Sequence, residues 1–597
     1  MREFSVPATM EVGPDEALTD LLAKNVAEVG DQTGFRVRRG GAWQDVTWKE
    51  FGEQVTGVAK GLIASGVEAG DRVALQAKTR YEWPVMDFAI WTAGAVTVPI
   101  YETSSADQVA WILSDSGATA VIVEKDEHAT AVESVRDQAP DLKSVHVIDD
   151  DAVGTLTQAG KDVPDSVLEE RRATLKADSV ATLIYTSGTT GRPKGCELTH
   201  SNFLFEIGNG MSLLGRFLNV EGSLLLFIPL AHVLARVIQI GAVKTRTVVG
   251  HTPDVKNLVD DLGEFKPTFV LAVPRVFEKV FNTAKGRAEA DGKGKIFDKA
   301  AQVAIDWSKA QDKGGAGLAL KAQHTLFDKL VYGKLRAALG GECLGAVSGG
   351  APLGDRLGHF YRGIGVPVYE GYGLTETTAA ASVNHDDGFR IGTVGRPLPG
   401  VDFAVADDGE VLIRGGIVMR GYWKNEDATK EAVDSDGWFH TGDLGELDDD
   451  GFLKITGRKK ELLVTAGGKN VAPAVLEDRL RSHGLVSQCI VVGDGRPFIA
   501  ALVTLDEEAL PQWLESKGKP KDQTAEQVKD DPELREEIEA AVKDANKAVS
   551  NAEAIKKFAI LGTDFTEENG MLTPSLKLKR SVVMKEFDDE VEKLYAR

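Results

Sequence analysis

Cysteine is scarce in this sequence: Cys196, Cys343 and Cys489 are the three among 597 residues. Thiols so few and so scattered exclude a disulfide framework and a zinc cluster. They are expected as small apolar core residues in a reducing compartment. Long hydrophobic runs are also missing. The longest mostly apolar stretch, Phe88 to Ile100, falls short of the roughly 18–20 residues that a membrane span needs. Met1-Arg2-Glu3-Phe4-Ser5 opens no apolar leader segment. Positive charge is in deficit, with 69 Lys and Arg against 91 Asp and Glu and a net charge of −22. A phosphate backbone rewards basic surfaces, so no nucleic-acid partner is expected. Non-specific docking on an anionic membrane is disfavoured as well. The expectation is a soluble, cytoplasmic protein.

What is present is an ordinary globular composition, 43% hydrophobic, in a chain longer than the roughly 250–300 residues one core supports. Two or more domains follow. Phe51, Val55, Val58 and Leu62 recur at helical spacing, with Gly66 as a stop. Strand-length apolar runs stand at Val73–Leu75, Ala120–Val123, Val145–Ile148, Thr182–Tyr185, Leu224–Ile228, Phe269–Val273 and Leu344–Val347. Strands alternating with helices imply largely parallel sheets covered on both faces. Ligands on such sheets sit at the carboxyl ends of strands. From Ile391 to Thr456 the chain is rich in Gly and Asp-Gly turn signals, which reads as antiparallel β structure. After Gly457, short strands precede a charged helix with Leu534, Ile538, Val542 and Ala545 on one face. Lys285 to Lys321 reads as a helical insertion broken at Gly314-Gly315. The expected division is 1–457, two α/β subdomains plus a β-rich one, and 458–597, a small α+β domain.

The most informative segment is Tyr185-Thr186-Ser187-Gly188-Thr189-Thr190-Gly191-Arg192-Pro193-Lys194-Gly195. It follows a strand and packs glycines, hydroxyls and cations into one loop. Glycines let backbone N–H groups approach an anion, hydroxyls donate, and Lys adds a point charge: the makings of a phosphate cradle. It is not a Walker A loop, because Gly191 and Lys194 are not adjacent. This loop resembles the signature of the adenylate-forming enzymes, the superfamily of acyl-CoA synthetases, luciferases and peptide-synthetase adenylation domains. Further segments resemble that superfamily's motifs in order: Pro229-Leu230-Ala231-His232, Gly349-Gly350-Ala351-Pro352-Leu353, Tyr369 to Thr377, Trp438 to Asp443, Gly457 to Glu461, and Leu572 to Arg580. Val273 to Lys279, the helical insertion and the Leu572-Thr573-Pro574 ending resemble the long-chain fatty-acid branch in particular.

The resemblance implies a mechanism in two steps, with ATP, Mg2+ and coenzyme A as cofactors and a fatty acid as substrate. Thr186, Ser187, Gly188, Thr189, Thr190, Gly191 and Lys194 would hold the β- and γ-phosphates. Gly350, Ala351, Glu370, Gly371 and Tyr372 would form the adenine side, with the Tyr372 ring stacked on the base. Asp443 and Arg458 would meet the ribose. Thr375 would donate to the α-phosphate, and Glu376 would ligate the metal. His232 would orient the substrate carboxylate without serving as a general base, since a carboxylic acid is already ionised near neutral pH. Lys577 would bridge carboxylate and α-phosphate, easing the approach of two anions. Ser575-Leu576-Lys577 stands where many relatives carry Ser-Gly-Lys. Lys460 would be the hinge about which the small mobile domain turns, bringing Gly467, Gly468 and Lys469 to the pantetheine path.

Alternatives share most of these residues. A fatty acyl-AMP ligase would deliver the adenylate to a carrier protein, and a non-catalytic acyl-adenylate sensor would bind without turnover. The retained Lys577, Glu376 and Asp443 argue against the sensor. A luciferase-like oxidation is less favoured, and a peptide-synthetase module is disfavoured because no carrier-domain serine motif follows. The resemblance leaves chain-length preference, oligomeric state and peripheral membrane association open.

Overall fold

A computed structural model describes residues 2–186, 192–253, 257–573 and 577–596. Its large part is built on two mostly parallel sheets. The first orders its strands 421–422, 194–199, 180–186, 96–100, 72–76, 118–123 and 144–147. The second orders them 396–397, 382–383, 368–372, 345–348, 269–272, 223–226, 248–251, 33–39 and 42–47. Every residue of Ala118–Val123 and of Phe269–Ala272 is buried. Helices cover both faces, so these strands read as continuous apolar runs and not as alternation. The helix Trp48–Ala64 starts in a capping box between Thr47 and Glu50 and buries Trp48, Phe51, Val55, Val58 and Leu62. Phe88 to Ile100 divides into the helix Glu82–Thr92 and the strand Val96–Ile100, buried on all sides. Among the described residues no helix is long and apolar enough to cross a membrane.

The β-rich region forms an antiparallel sheet of strands 2–5, 401–405, 410–415, 439–447 and 453–458. Its first strand, Arg2–Ser5, pairs antiparallel with Val401–Val405. Four residues without periodicity carry no strand signal; pairing with a partner four hundred residues away creates this one. The insertion consists of helices Pro274–Ala290, Gly294–Gln311 and Leu318–Phe327, with Gly314 and Gly315 both at positive φ in the break. The three cysteines are free and buried.

The C-terminal part has its own core. Strands 486–492, 499–505 and 555–560 form a sheet. The helix Pro532–Ala545 buries Leu534, Ile538, Val542 and Ala545 against it, while Glu539 and Lys543 pair on its outer face at 2.9 Å. The large core runs to Leu453, and the C-terminal one takes up at Val471.

One buried ion pair joins the two parallel sheets. Arg236, on the helix Val233–Thr245, meets Asp87 of the helix Glu82–Thr92 at 2.5 and 2.8 Å, with side chains 1% and 4% exposed. Arg236 also donates to Thr182 Oγ1 at 2.6 Å, and Thr97 Oγ1 donates to Asp87 at 2.7 Å. Trp83, Trp91 and Phe203 pack around the guanidinium. Both charges are desolvated, and both are fully partnered.

Candidate active site

Strands 345–348, 368–372 and 382–383 of the second sheet border one cavity of about 810 Å3, its open mouth included. Its lining gathers His232, Ser348, Gly349, Gly350, Gly371, Tyr372, Thr375 and Lys577 with the apolar Met211, Leu214, Val237, Ile238 and Leu398. The parallel strands 345–348 and 368–372 deliver Ser348 and Tyr372 at their carboxyl ends, where open α/β sheets place ligands. At Gly373 a Cβ would lie 1.7 Å from the Ala379 carbonyl oxygen. Only glycine lets the following turn fold back this closely.

Glu376 lies in the short turn Thr375–Thr377. Tyr422 OH donates to its Oε1 at 2.9 Å and Thr186 Oγ1 at 3.4 Å. Tyr422 belongs to the two-residue strand that pairs with Lys194–Thr199, and its ring carries Lys194 Nζ 4.3 Å from the centroid. Thr186 and Lys194 face each other across the hairpin. Ser187, Gly188, Thr189, Thr190 and Gly191 lie outside the described residues. A carboxylate with both bonds on one oxygen keeps the other for a hard cation. Mg2+ usually takes one or two carboxylates and fills its shell with phosphate and water, so this donor set fits it.

Asp443 is 3% exposed. Its Oδ2 accepts from Tyr372 OH at 2.7 Å, and its Oδ1 meets Arg458 Nε at 2.9 Å. The pairing of strands 439–447 and 453–458 sets Asp443 opposite Arg458. Each carboxylate oxygen has a second lone pair, so two further donors can still be accepted. Burial raises the Tyr372 hydroxyl far above its ordinary value, and the Asp443 charge adds to this, so Tyr372 stays a donor. Burial opposes the Arg458 charge, but Asp443 holds its pKa above the usual guanidinium value.

His232 caps the helix Val233–Thr245, its Nδ1 accepting from Leu234 N at 3.2 Å. With Nδ1 used as acceptor, the neutral ring carries its proton on Nε2. Burial, with the nearby Lys577 charge, lowers the His232 pKa to about 3. The ring is therefore neutral across the physiological range and can donate one N–H to a carboxylate.

Lys577 N–H donates to Thr573 Oγ1 at 3.0 Å, and Leu572 bridges Leu578, while Pro574, Ser575 and Leu576 lie outside the described residues. Desolvation and the Arg458 charge lower the Lys577 pKa, while Asp443 and Glu376 oppose the shift. Lys577 lines the cavity with His232 and Thr375. Lys579 caps the next helix, and its backbone N–H donates to Met571 O at 2.8 Å.

Other sequence candidates are not brought to the cavity. The Glu370 side chain turns to the Gly349–Leu353 loop, its Oε1 accepting from Leu353 N at 2.8 Å. It props that loop from behind. Ala351 is exposed. Gly467, Gly468 and Lys469 form a hairpin turn of the C-terminal part, with Gly468 at φ +76° and Lys469 paired with Glu553 at 3.4 Å; none lines the cavity. In this arrangement the Lys577 turn holds the place beside the cavity. Lys460 lies exposed in the turn Lys459–Glu461 between the two cores. Sequence reasoning missed Tyr422 and Glu206. Tyr422 stands in a Gly421-Tyr422-Trp423 run, and Glu206 interrupts the apolar run Phe203-Leu204-Phe205 and Ile207.

A profile described as AMP-binding enzyme matches residues 22–423, and one described as AMP-binding enzyme C-terminal domain matches residues 460–597. The chain belongs to this family of adenylate-forming enzymes. It is 54% identical, over all of both chains, to the long-chain-fatty-acid–CoA ligase FadD15 of Mycobacterium bovis. It is 31% identical to the long-chain-fatty-acid–CoA ligase ACSBG2 of Xenopus laevis, covering 98% of this chain and 84% of that one. Among solved structures, the adenylation domain of a carboxylate reductase from Mycobacterium chelonae superposes with a TM-score of 0.76 at 23% identity, over 98% of this chain and 92% of that one. ATP-bound MatB from Rhodopseudomonas palustris superposes at 0.69 and 22% identity, over 96% and 99%.

Proposed function

We propose that this protein is a cytoplasmic long-chain fatty-acid–CoA ligase, using ATP to form acyl-AMP and then transferring the acyl group to coenzyme A. One observation carries the reading: an apolar chamber ends beneath a neutral His232, a hydroxyl on Thr375 and the Lys577 ammonium. An alkyl chain fills the chamber, each buried methylene contributing roughly 0.8 kcal/mol. Its carboxylate then lies under the three polar groups.

In the first step the carboxylate oxygen attacks the α-phosphorus, and the bond to pyrophosphate breaks. His232 Nε2–H orients the carboxylate. Lys577 stands between the two anions, and Thr375 donates to the α-phosphate. Glu376 would hold Mg2+, which supplies charge neutralisation at the phosphates when bound. Thr186, Lys194 and the loop 187–191 receive the pyrophosphate end. Tyr372, Gly350 and Gly371 flank the base, and Asp443 with Arg458 takes the ribose. In the second step the CoA sulfur attacks the acyl carbon and AMP leaves. Lys577 has no task in that step. We propose that the segment from Arg458 onward turns about Lys460, withdrawing Lys577 and presenting Gly467, Gly468 and Lys469 to the pantetheine.

The 54% full-length identity to FadD15 favours free CoA as acceptor over a carrier protein. The test is AMP release measured across fatty acids of increasing length, with and without CoA. Release that requires CoA and rises with chain length is expected. Adenylate that accumulates and ignores CoA would move the reading to an acyl-AMP ligase, and no pyrophosphate from any acid would leave a sensor.

A further inference from the structure

The chamber wall holds an acid that the proposed mechanism does not use. The helix His200–Gly210 drives Phe203, Leu204 and Ile207 into the core, and Glu206 goes in with them, 1% exposed, as a lining residue of the chamber. Its Oε1 accepts from Ala380 N at 2.8 Å. That bond holds a turn in which Thr378 and Ala379 have φ of +61° and +137°, conformations side chains rarely adopt. Its Oε2 has no hydrogen-bond partner among the described residues, and no ion pair to Glu206 is formed among them either. The lining combines the apolar Met211, Leu214, Ile238, Val383 and Leu398 with the polar His232, Ser348, Tyr372, Thr375 and Lys577, and no side chain among the described residues bonds to Glu206 Oε2.

A buried carboxylate without a cation is strongly penalised. Burial accordingly pushes the Glu206 carboxyl well above its ordinary range, with only the Ala380 N–H pulling it back. Burial favours the protonated form, which has one O–H donor and spare acceptor capacity. Ala380 alone explains one oxygen; a Gln would serve it without burying an acid. The second oxygen is left with a hydrogen bond unmade, a costly arrangement beside hydrocarbon.

We propose that Glu206 is a specificity-determining residue whose second oxygen receives a hydroxyl carried on the hydrocarbon part of the acyl substrate, so that the chamber prefers a hydroxylated fatty acid over the plain chain. This rests on the ligase reading and names its substrate class further. Buried polar groups left unpaired by the wrong substrate are a strong source of discrimination. Because Glu206 occupies one place in the wall, the preference depends on where along the chain the hydroxyl sits.

The experiment compares an unsubstituted fatty acid with a series of monohydroxylated acids of the same length, the hydroxyl moved carbon by carbon. AMP release in the presence of CoA gives kcat/KM for each with the wild type, Glu206→Gln and Glu206→Leu. In the wild type, one position or two adjacent ones should exceed both the unsubstituted acid and the remaining isomers by about tenfold or more. Glu206→Leu should flatten that profile, and Glu206→Gln, which keeps an acceptor for Ala380 and a polar group toward the chamber, should retain part of it. Each profile is a ratio within one variant, so a loss of folded protein does not alter it. If Glu206→Leu does not fold, the wild-type profile decides. A flat wild-type profile, or a peak that survives in Glu206→Leu, overturns the assignment. Turnover of the unsubstituted acid meanwhile tests the ligase reading on its own, so the two can fail separately.

Discussion

The two walls of the candidate site are held in opposite ways. The wall carrying His232 is anchored one helical turn away by Arg236 and Asp87, a pair with both side chains almost wholly buried. The wall carrying Lys577 reaches the large part through polar contacts at the rim. Arg275 meets Asp506 at 2.6 Å with both side chains 25% exposed, and Lys279 meets Glu508 at 2.7 Å with both more than half exposed. Buried pairs are costly to break, whereas exposed pairs contribute little. The difference fits the proposal that one wall is a scaffold and the other a part that turns away. The proposed two-step reaction uses both, since Lys577 is proposed to serve the first step and to withdraw before the second.

The largest effect should come from the scaffold. Asp87→Ala strands a buried guanidinium, and the expected loss is about 3–5 kcal/mol of unfolding free energy, read by denaturant titration. A loss under about 1 kcal/mol would mean that water reaches Arg236, and the contrast between the walls would collapse. Next is Lys577→Ala. Removing one preorganised charge from a site of this kind costs roughly 10²–10³ in rate. The loss should fall on acyl-adenylate formation and spare thioester formation from supplied acyl-AMP. Equal loss in both steps would show that the Lys577 wall does not leave.

Much of the fold and several residues of the candidate site were legible in the sequence, whereas the ion pairs that distinguish the two walls were not. The helix Trp48–Ala64 and the buried strands announce themselves by period and by unbroken apolar runs, because one face or both are dry. Tyr372, Asp443, Arg458 and Lys577 were placed by the order of motifs, and the fold brings them within reach of one another. Contacts between distant segments were not legible. Tyr422 earns its place through a two-residue strand against Lys194–Thr199 and a bond to Glu376, 46 positions away. Glu206 meets Ala380 across 174 positions. Glu370 carries a motif position, but its local surroundings turn it toward Leu353. A side chain's direction depends on what packs behind it, which a linear pattern does not record.

Glu370 also lets the comparison be tested by pH. Burial raises its pKa from an ordinary 4.5 to about 7, the Leu353 N–H opposing and the charges of Asp355 and Asp478 adding to the rise. Asp478 belongs to the C-terminal part, so that part contributes to the titration of a residue in the large part. For an acid with a raised folded pKa, the unfolded chain loses its proton first. Stability therefore falls as pH rises from about 4.5 to about 7. Glu370→Gln keeps an acceptor for Leu353 and removes the titration. It should match the wild type below pH 4.5 and exceed it by up to roughly 3 kcal/mol above pH 7. Calorimetric melting across that range checks the sign, and a wild type that gains stability over the window would refute it.

The smallest effect is expected where the departing wall is tied down. Arg275 holds Asp506 and also lies 3.4 Å from Ser487 Oγ and 3.5 Å from Glu278. Arg275→Ala removes the ties to Asp506 and Ser487 while leaving the large core intact, so global unfolding should shift by no more than about 1 kcal/mol. Its consequence belongs to the balance between the two arrangements. A tie of that size, present only while Lys577 sits beside the cavity, biases the equilibrium by about fivefold, since 1.4 kcal/mol is tenfold. Adenylation should slow by a factor of a few. Thioester formation, if limited by release of the C-terminal part, should quicken by a similar factor. Raising ionic strength should reproduce the same opposite shifts in the wild type and do less in Arg275→Ala, because salt screens a partly exposed pair. Half-reactions that move together in both experiments would show that Arg275 only stabilises the fold, and that the second wall is as fixed as the first.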